Sequence, residues 1–368
     1  MTDRQAAILG LNATGVAGQR ELRIIEEKLG PLETPGLAAP RELRLPRRIR
    51  SAMEHPGLVA IGQLEAKDAE SYGLSVAIFE DECFPRRLLC LANPPLALYW
   101  RGTLPPDEQP AVGVVGSRRC SRYALRVADS IARDLASLGI VVVSGLARGV
   151  DASAHRGSLG DKRCALAILG CGMASIYPPE HTQLALDIES SGAVLSEFGP
   201  EVAPLARNFP RRNRLIAGFS DALLVIEARQ KSGALITARW AADLGKDVFV
   251  VPNQVDNAAA EGSLALLRDG ARPIRDAKDL IQDMGWEDDE VQLDLAAVAQ
   301  EPRSPASDLE QADLRLLTLL DHEAAPLDAI LGGLGMSAGE ALTRLMALEL
   351  KGEVEQLPGM CFRRANNK

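Results

Sequence analysis

Residues 112–119 read Val-Gly-Val-Val-Gly-Ser-Arg-Arg, and the stretch behind them, 122–138, carries Ala128, Ile131, Leu135 and Leu138 at helical spacing. A short apolar run that breaks at a glycine and passes into an amphipathic helix is how a buried parallel strand meets its crossover. The pattern recurs at 140–143, 164–169, 193–195, 222–226 and 248–251, with helical segments between, among them the Ala-rich 234–244. Strand and helix alternating in this way predict an α/β fold with a Rossmann-like, doubly wound, mostly parallel sheet whose ligands sit at the C-terminal ends of its strands. The loops that follow the strands are therefore the functional ones.

The rest of the chain is read outward from that sheet. At 368 residues it exceeds what one core usually serves, so two or three domains are expected. Apolar content of 46% with only 4% aromatics and 32 glycines is the texture of helices packed on a buried sheet. No segment has the apolar length of a membrane span, and Asp3 and Arg4 do not begin a signal peptide; a cytoplasmic protein with no membrane partner is expected. The six cysteines form no CxxC pair, and the four histidines lack the spacing of a metal helix, so neither metal nor other cofactor is expected. The net charge of −9 hides two basic patches, one at Arg41, Arg44, Arg47, Arg48 and Arg50, the other at Arg207, Arg211, Arg212 and Arg214. Such patches are what a polyanion meets.

Four segments follow. Residues 1–78 read as short helices broken by glycine turns, with Leu22, Ile25 and Leu29 on one stripe, a small helical domain of the SAM or helix-hairpin-helix kind. Its turns serve either packing or phosphate binding, and Arg44, Arg47 and Arg48 are either a solvated face or an auxiliary DNA contact. Residues 79–286 hold the sheet. Residues 287–307 are acidic, then Pro/Ser-rich, a linker composition. Residues 308–368 offer helices at 309–320, 326–332 and 337–351 and two strands at 354–357 and 360–363, the order of a winged helix. Glu340 and Glu349 offset Arg344 and Lys351 on its third helix, which favours a protein contact or a regulatory role over DNA reading.

The loops carry the chemistry. After the first sheet strand, Gly116 allows close approach of the backbone, Ser117 and the turn's N–H groups donate, and Arg118 and Arg119 add charge, a phosphate grip. It is no dinucleotide fingerprint, because the GxGxxG glycines and an acid after the second strand are missing. Ser144 and Gly145 end that second strand, and Asp151 caps the next helix; a Ser144, Asp151, His155 triad is rejected because Asp and His four apart on one helix rarely orient a base. The 203–214 loop joins Arg207, Arg211, Arg212 and Arg214 to Phe209, charge for a strand's backbone and a ring for a base. Ser232 and Gly233 open a further helix carrying Thr237, and Glu227 before them either serves that site or holds an arginine of the loop.

Taken together, VGSRRCSRYA, VSGLARGVDASAH, LGCGMASIYPPEH, LSEFGP, NFPRRNRLIAG and EARQKSGALITARWAADLGKDVFVVP resemble the DprA/Smf DNA-processing family over residues 80–285. The resemblance implies a non-catalytic recombination mediator that binds and shields incoming single-stranded DNA in natural transformation, helps load RecA, and forms a homodimer through the Rossmann-like domain. It places a phosphate on Gly116, Ser117 and Arg118, a pocket shaped by Arg212, Asn213 and Arg214, and a base or sugar on Phe209. Arg207 would supply a charge that relatives carry nearer Ala206. Ala124, Asn253 and Leu264 depart from the family pattern. The competing expectation is a Rossmann-like nucleoside monophosphate N-glycosidase that uses Glu227.

Overall fold

In a computed structural model of the protein the described residues are 1–34, 43–54, 57–159 and 164–286, with 325–326, 344–345, 348–349, 354–357 and 361–364 towards the C-terminus. They fall in two compact units, Met1–Asp294 and Leu295–Lys368.

All six expected strands of the sheet form. They are β3 Ala111–Val115, β4 Val141–Ser144, β5 Ala165–Leu169, β6 Gly192–Ser196, β7 Ala222–Val225 and β8 Asp247–Val250. The pattern missed three: β1 Ser75–Ile78, β2 Ala97–Gly102 and the two-residue β9 Arg272–Pro273. The nine-stranded sheet runs β1-β2-β6-β5-β4-β3-β7-β8-β9, parallel from β6 to β9 and antiparallel at β1 and β2. From β3 the chain steps one way through β4, β5 and β6, then returns to lay β7 on the other side of β3. That reversal opens a crevice between β3 and β7 at their C-terminal ends, the position where open α/β sheets bind ligands.

The helices are α1 Asp3–Ala13, α2 Gln19–Leu29, α3 Arg47–Glu54 and α4 Leu58–Ser71 before the sheet, and α5 Arg122–Ser137, α6 Val150–Ser158, α7 Thr182–Ser190, α8 Asn208–Phe219, α9 Gly233–Asp243, α10 Glu261–Arg268 and α11 Ala277–Met284 around it. Hydroxyl caps start two that matter for the site: Ser121 accepts from the Ala124 N–H of α5, and Ser232 from the Ala234 N–H of α9.

The sheet's two faces follow the period of two. On β5, Ala165, Ala167 and Leu169 enter one core while Leu166 and Ile168 enter the other. The first of these cores also contains Ile8, Leu11, Leu22, Ile25, Ile49 and Met53 from the N-terminal helices. The helical segment expected over 1–78 thus shares its core with the sheet, and its last four residues are β1, hydrogen bonded to β2. The apolar stripe that reads as a small domain's interior is in part an interface with the sheet.

In the C-terminal unit, β11 Val354–Leu357 and β12 Cys361–Arg364 pair antiparallel, and β10 Ala325–Pro326 joins the other edge of β12. Leu345, Leu348, Val354 and Phe362 are buried. The linker at 287–307 and the expected helices at 309–320 and 326–332 lie outside the described residues, apart from Pro326 in β10.

Two glycines set the distance between α1 and α4. A Cβ on Gly62 would lie 1.7 Å from the Ala6 carbonyl oxygen, and one on Gly10 would lie 2.0 Å from that of Leu58. Since backbone cannot yield as a side chain can, Gly62→Ala is expected to destabilise by about 1–3 kcal/mol through overpacking. A urea titration at unchanged slope measures this, and a midpoint equal to wild type would contradict the packing argument.

Candidate nucleic-acid interface

The crevice between β3 and β7 holds a cavity of about 660 Å³. Its floor is the turn after β3, whose shape two glycines permit. A Cβ on Gly116 would meet the Val150 side chain at 2.5 Å, and one on Gly149, where φ is +79°, would meet the Ser117 carbonyl oxygen at 2.4 Å. The two loops interlock. Ser117 is used within the turn: its hydroxyl accepts from the Arg119 N–H at 3.1 Å, and its own N–H donates to the Glu227 carbonyl at 2.7 Å. Arg118 and Arg119 remain exposed.

Across the crevice the start of α9 supplies Ser232 and Gly233, and the loop before it supplies Arg229 and Lys231. Arg118, Arg119, Arg229 and Lys231 have no carboxylate within ion-pair distance among the described residues. Unpaired cations grouped at a helix N-terminus, in a chain of net charge −9, form an anion site by charge and by dipole.

The stretch 203–214, expected as a loop, is helical from Asn208. That changes what its arginines do, because a helix turns them to different sides. Arg212 points under the cavity, 3% exposed, and donates to the carbonyls of Gly145, at 2.7 Å, and Ile168. Burial lowers its pKa to about 10, against the pull of Asp151. Asn213 lines the cavity and donates to the Gly233 carbonyl at 3.2 Å, tying α8 to α9. Arg214 turns away and pairs with the buried Glu197 while donating to the Asn93 carbonyl at 2.8 Å. Arg211 shares Glu197 at 3.2 Å and stacks on Phe198, and Arg207 is exposed; neither lines the cavity. Both Arg211 and Arg214 are thus structural neighbours of the site rather than its walls.

Other expected residues are also redirected. Ser144 is buried and donates to the Val114 carbonyl at 2.6 Å, and the space beside Gly145 is filled by Arg212. Burial holds the His155 imidazole neutral, its pKa lowered to about 3. Glu227 is fully buried and holds Ser121, through its N–H at 2.9 Å and its hydroxyl at 2.7 Å, rather than an arginine. Phe209 lines the cavity with Arg118 over its ring at 5.1 Å. Arg44, Arg47 and Arg48 are exposed on and just before α3.

The lining residues not expected as site residues include Asp151, Tyr177, Arg229 and Lys231. The last two lie on the loop between β7 and α9, where the sequence pattern marks the helix start at Ser232 and Gly233 rather than these two cations. Asp151, read as a cap, accepts the Ala147 N–H at 3.4 Å from within the cavity wall. Burial raises its pKa to about 6, with Arg212 opposing.

Comparison with known proteins gives one family. Residues 75–285 match the family model for DNA recombination-mediator protein A, and residues 300–360 match the DprA winged helix domain. Protein Smf of Escherichia coli (strain K12) is 35% identical over 286 residues, covering 76% of this chain and 75% of its own. The X-ray structure of DNA processing protein A from Streptococcus pneumoniae superposes with a TM-score of 0.63 at 27% identity, covering 77% of this chain and 98% of that one. The corresponding protein of Helicobacter pylori, whose structure describes a single-stranded DNA binding mode, gives a TM-score of 0.53 at 30% identity over 58% of this chain and 96% of its own.

The arginines divide in a way that stability measurements separate. Arg214→Ala leaves Glu197 buried and under-compensated and is expected to cost about 3 kcal/mol; Arg118→Ala is expected to stay within about 0.5 kcal/mol of wild type. Equal denaturation midpoints for the two variants would refute the division. Asp151 is expected to make anion binding at this cavity depend on pH. With burial raising its pKa to about 6, its carboxyl is increasingly protonated as pH falls and repels an anion less, so affinity for a phosphate-bearing oligomer should rise from pH 7.5 to pH 5.5. Asp151→Asn should flatten that rise; an unchanged profile would exclude Asp151 as its source.

Proposed function

This chain belongs to the DprA/Smf family of DNA-processing proteins, and from that membership we propose that it is a single-stranded-DNA-binding recombination mediator. The observation that carries the reading is the cavity: Arg118, Arg119, Arg229 and Lys231 line it with a single carboxyl, Asp151, and with aromatic side chains in the wall. Charge of this kind takes the backbone of a strand, while rings take base faces without preference for sequence. The Helicobacter pylori relative, described in a single-stranded DNA binding mode, supports it.

The chain acts by binding rather than by catalysis. Glu227, the acid an N-glycosidase reading requires, is outside the cavity lining and engaged with Ser121, Asn253 and Asn257. As a mediator the protein shields incoming strands in natural transformation, helps load RecA onto them, and works as a homodimer through the sheet domain in the cytoplasm. No helix among the described residues is long and apolar enough to cross a membrane.

Titration with single- and double-stranded oligonucleotides over a range of salt tests the reading. Single strands should bind more tightly, affinity should fall as salt rises, and Arg118→Ala or Lys231→Ala should each reduce the slope by about 0.7 for the lost phosphate contact. Equal affinity for both forms, or variant slopes equal to wild type, would defeat it. Incubation with nucleoside monophosphates gives the converse check, since sustained release of free base abolished by Glu227→Gln would require an enzyme.

A further inference from the structure

Two exposed arginines serve an anion site well only if the turn that carries them is already in place, because ordering a loop on binding costs affinity. The turn after β3 carries Arg118 and Arg119, and one residue holds both of its ends. The main-chain carbonyl of Glu227, just beyond β7, accepts the Ser117 N–H at 2.7 Å, one step past the bond from the Ile226 N–H to the Val115 carbonyl at 3.1 Å. Its carboxylate accepts the Ser121 N–H at 2.9 Å and the Ser121 hydroxyl at 2.7 Å. Arg118, Arg119 and Cys120 are what lies between.

The same carboxylate reaches a third loop. The side-chain amides of Asn253 and Asn257, after β8, each donate to its Oε2 at 3.4 Å, and Asn257 also donates to Asn253 Oδ1 at 3.0 Å. Four donor groups thus converge on one side chain. An ionised carboxylate suits that demand because it accepts at every lone pair and donates nowhere.

Glu227 is fully buried, and among the described residues it has no cation within ion-pair distance. Its charge is stabilised instead by these donors and by the N-terminus of α5, whose cap is Ser121. The arrangement leaves the arginines of the site unengaged. A cation paired with Glu227 would be one fewer for an incoming anion.

We propose that Glu227 is a positioning residue for anion binding, resting on the reading of the cavity as a single-strand site. It clamps Ser117 and Ser121, so that Arg118 and Arg119 project from a turn fixed at both ends, and it ties that turn to the loop after β8. Glu227 is not part of the cavity lining, so it acts through the two arginines.

A double-mutant cycle read by fluorescence anisotropy tests it, with a short oligothymidylate over a range of salt and well below each variant's unfolding midpoint. Glu227→Gln keeps the side chain's size but replaces an acceptor by a donor, and should weaken binding roughly tenfold through its coupling to the arginines. The salt slope should fall by about 0.7, as for one lost phosphate contact. Combined with Arg118→Ala, it should cost much less than it does alone, whereas a role in stability only predicts a wild-type slope and additive losses. Ser121→Ala cuts the hydroxyl bond from the other side without touching the buried carboxylate. It should shift affinity and slope in the same direction, and it decides the matter if Glu227→Gln does not fold. If Arg118→Ala weakens binding while the folded variants keep the wild-type slope or add to its loss in full, the clamp is wrong and the cavity stands. If Arg118→Ala changes nothing, the single-strand reading falls and the clamp with it.

Discussion

A guanidinium held in the interior by main-chain carbonyls organises the C-terminal edge of the sheet. Arg212 reaches from α8 under the cavity to the Gly145 carbonyl beyond β4 and to the Ile168 carbonyl within β5. A charge so placed is tolerated only when several acceptors satisfy it, and those acceptors must then stay where they are. The demand reaches the sequence at Gly145, where a Cβ would lie 2.4 Å from Arg212 Nη2. It also reaches Asp151, whose carboxyl feels both the burial that neutralises it and the arginine that charges it. Arg212 thus puts beneath the cavity a positive charge that cannot swing out to solvent, and the exposed arginines above it remain available.

The same helix joins the N-terminal helices to the site. Glu197, just after β6, receives Arg211 and Arg214 from α8, and Arg211 continues to the Gly15 carbonyl between α1 and α2 at 3.3 Å. Arg214 reaches Asn93, whose side chain fills the space a Cβ on Gly18 would need. Asn12 of α1 donates to the Glu197 carbonyl at 3.3 Å. One buried carboxylate therefore fixes α8 against the N-terminal helices, and α8 carries Phe209, Arg212 and Asn213 to the cavity. A buried ion pair of this kind adds little net stability, and its value lies in specifying one arrangement.

What the sequence makes legible follows from the range of the forces concerned. The six inner strands are visible because burial on both faces leaves a continuous apolar run, and the turn at 116–119 because a glycine and two arginines follow such a run directly. β2 is less visible, since Trp100 and Arg101 interrupt its run, and β9 is too short for any period to show. The arginines of 203–214 read as one cluster because they are adjacent in sequence. Helical rotation then separates them by function, sending Arg212 inward and Arg214 toward Glu197, and no composition distinguishes these. Arg229, Lys231 and Tyr177 are invisible for another reason: their importance comes from strand order, which brings the loops after β7 and after β5 to one cavity at the edge of the sheet.

That dependence on strand order bears on how a site of this charge is possible in an acidic chain. Four cations kept without carboxylate partners repel one another, and in a small loop cluster the repulsion would open the loops. Here each pair is anchored to a different strand of a buried parallel sheet. The Gly116 and Gly149 turns lock one loop on the next, and Asn213 holds α9 to α8. The sheet's core supplies the free energy that holds the charges together, and a polyanion gains what their mutual repulsion costs. The net negative charge of the chain does not oppose this, because what a polyanion meets is the local field, and here that field is set by the loops that converge at the C-terminal edge of the sheet.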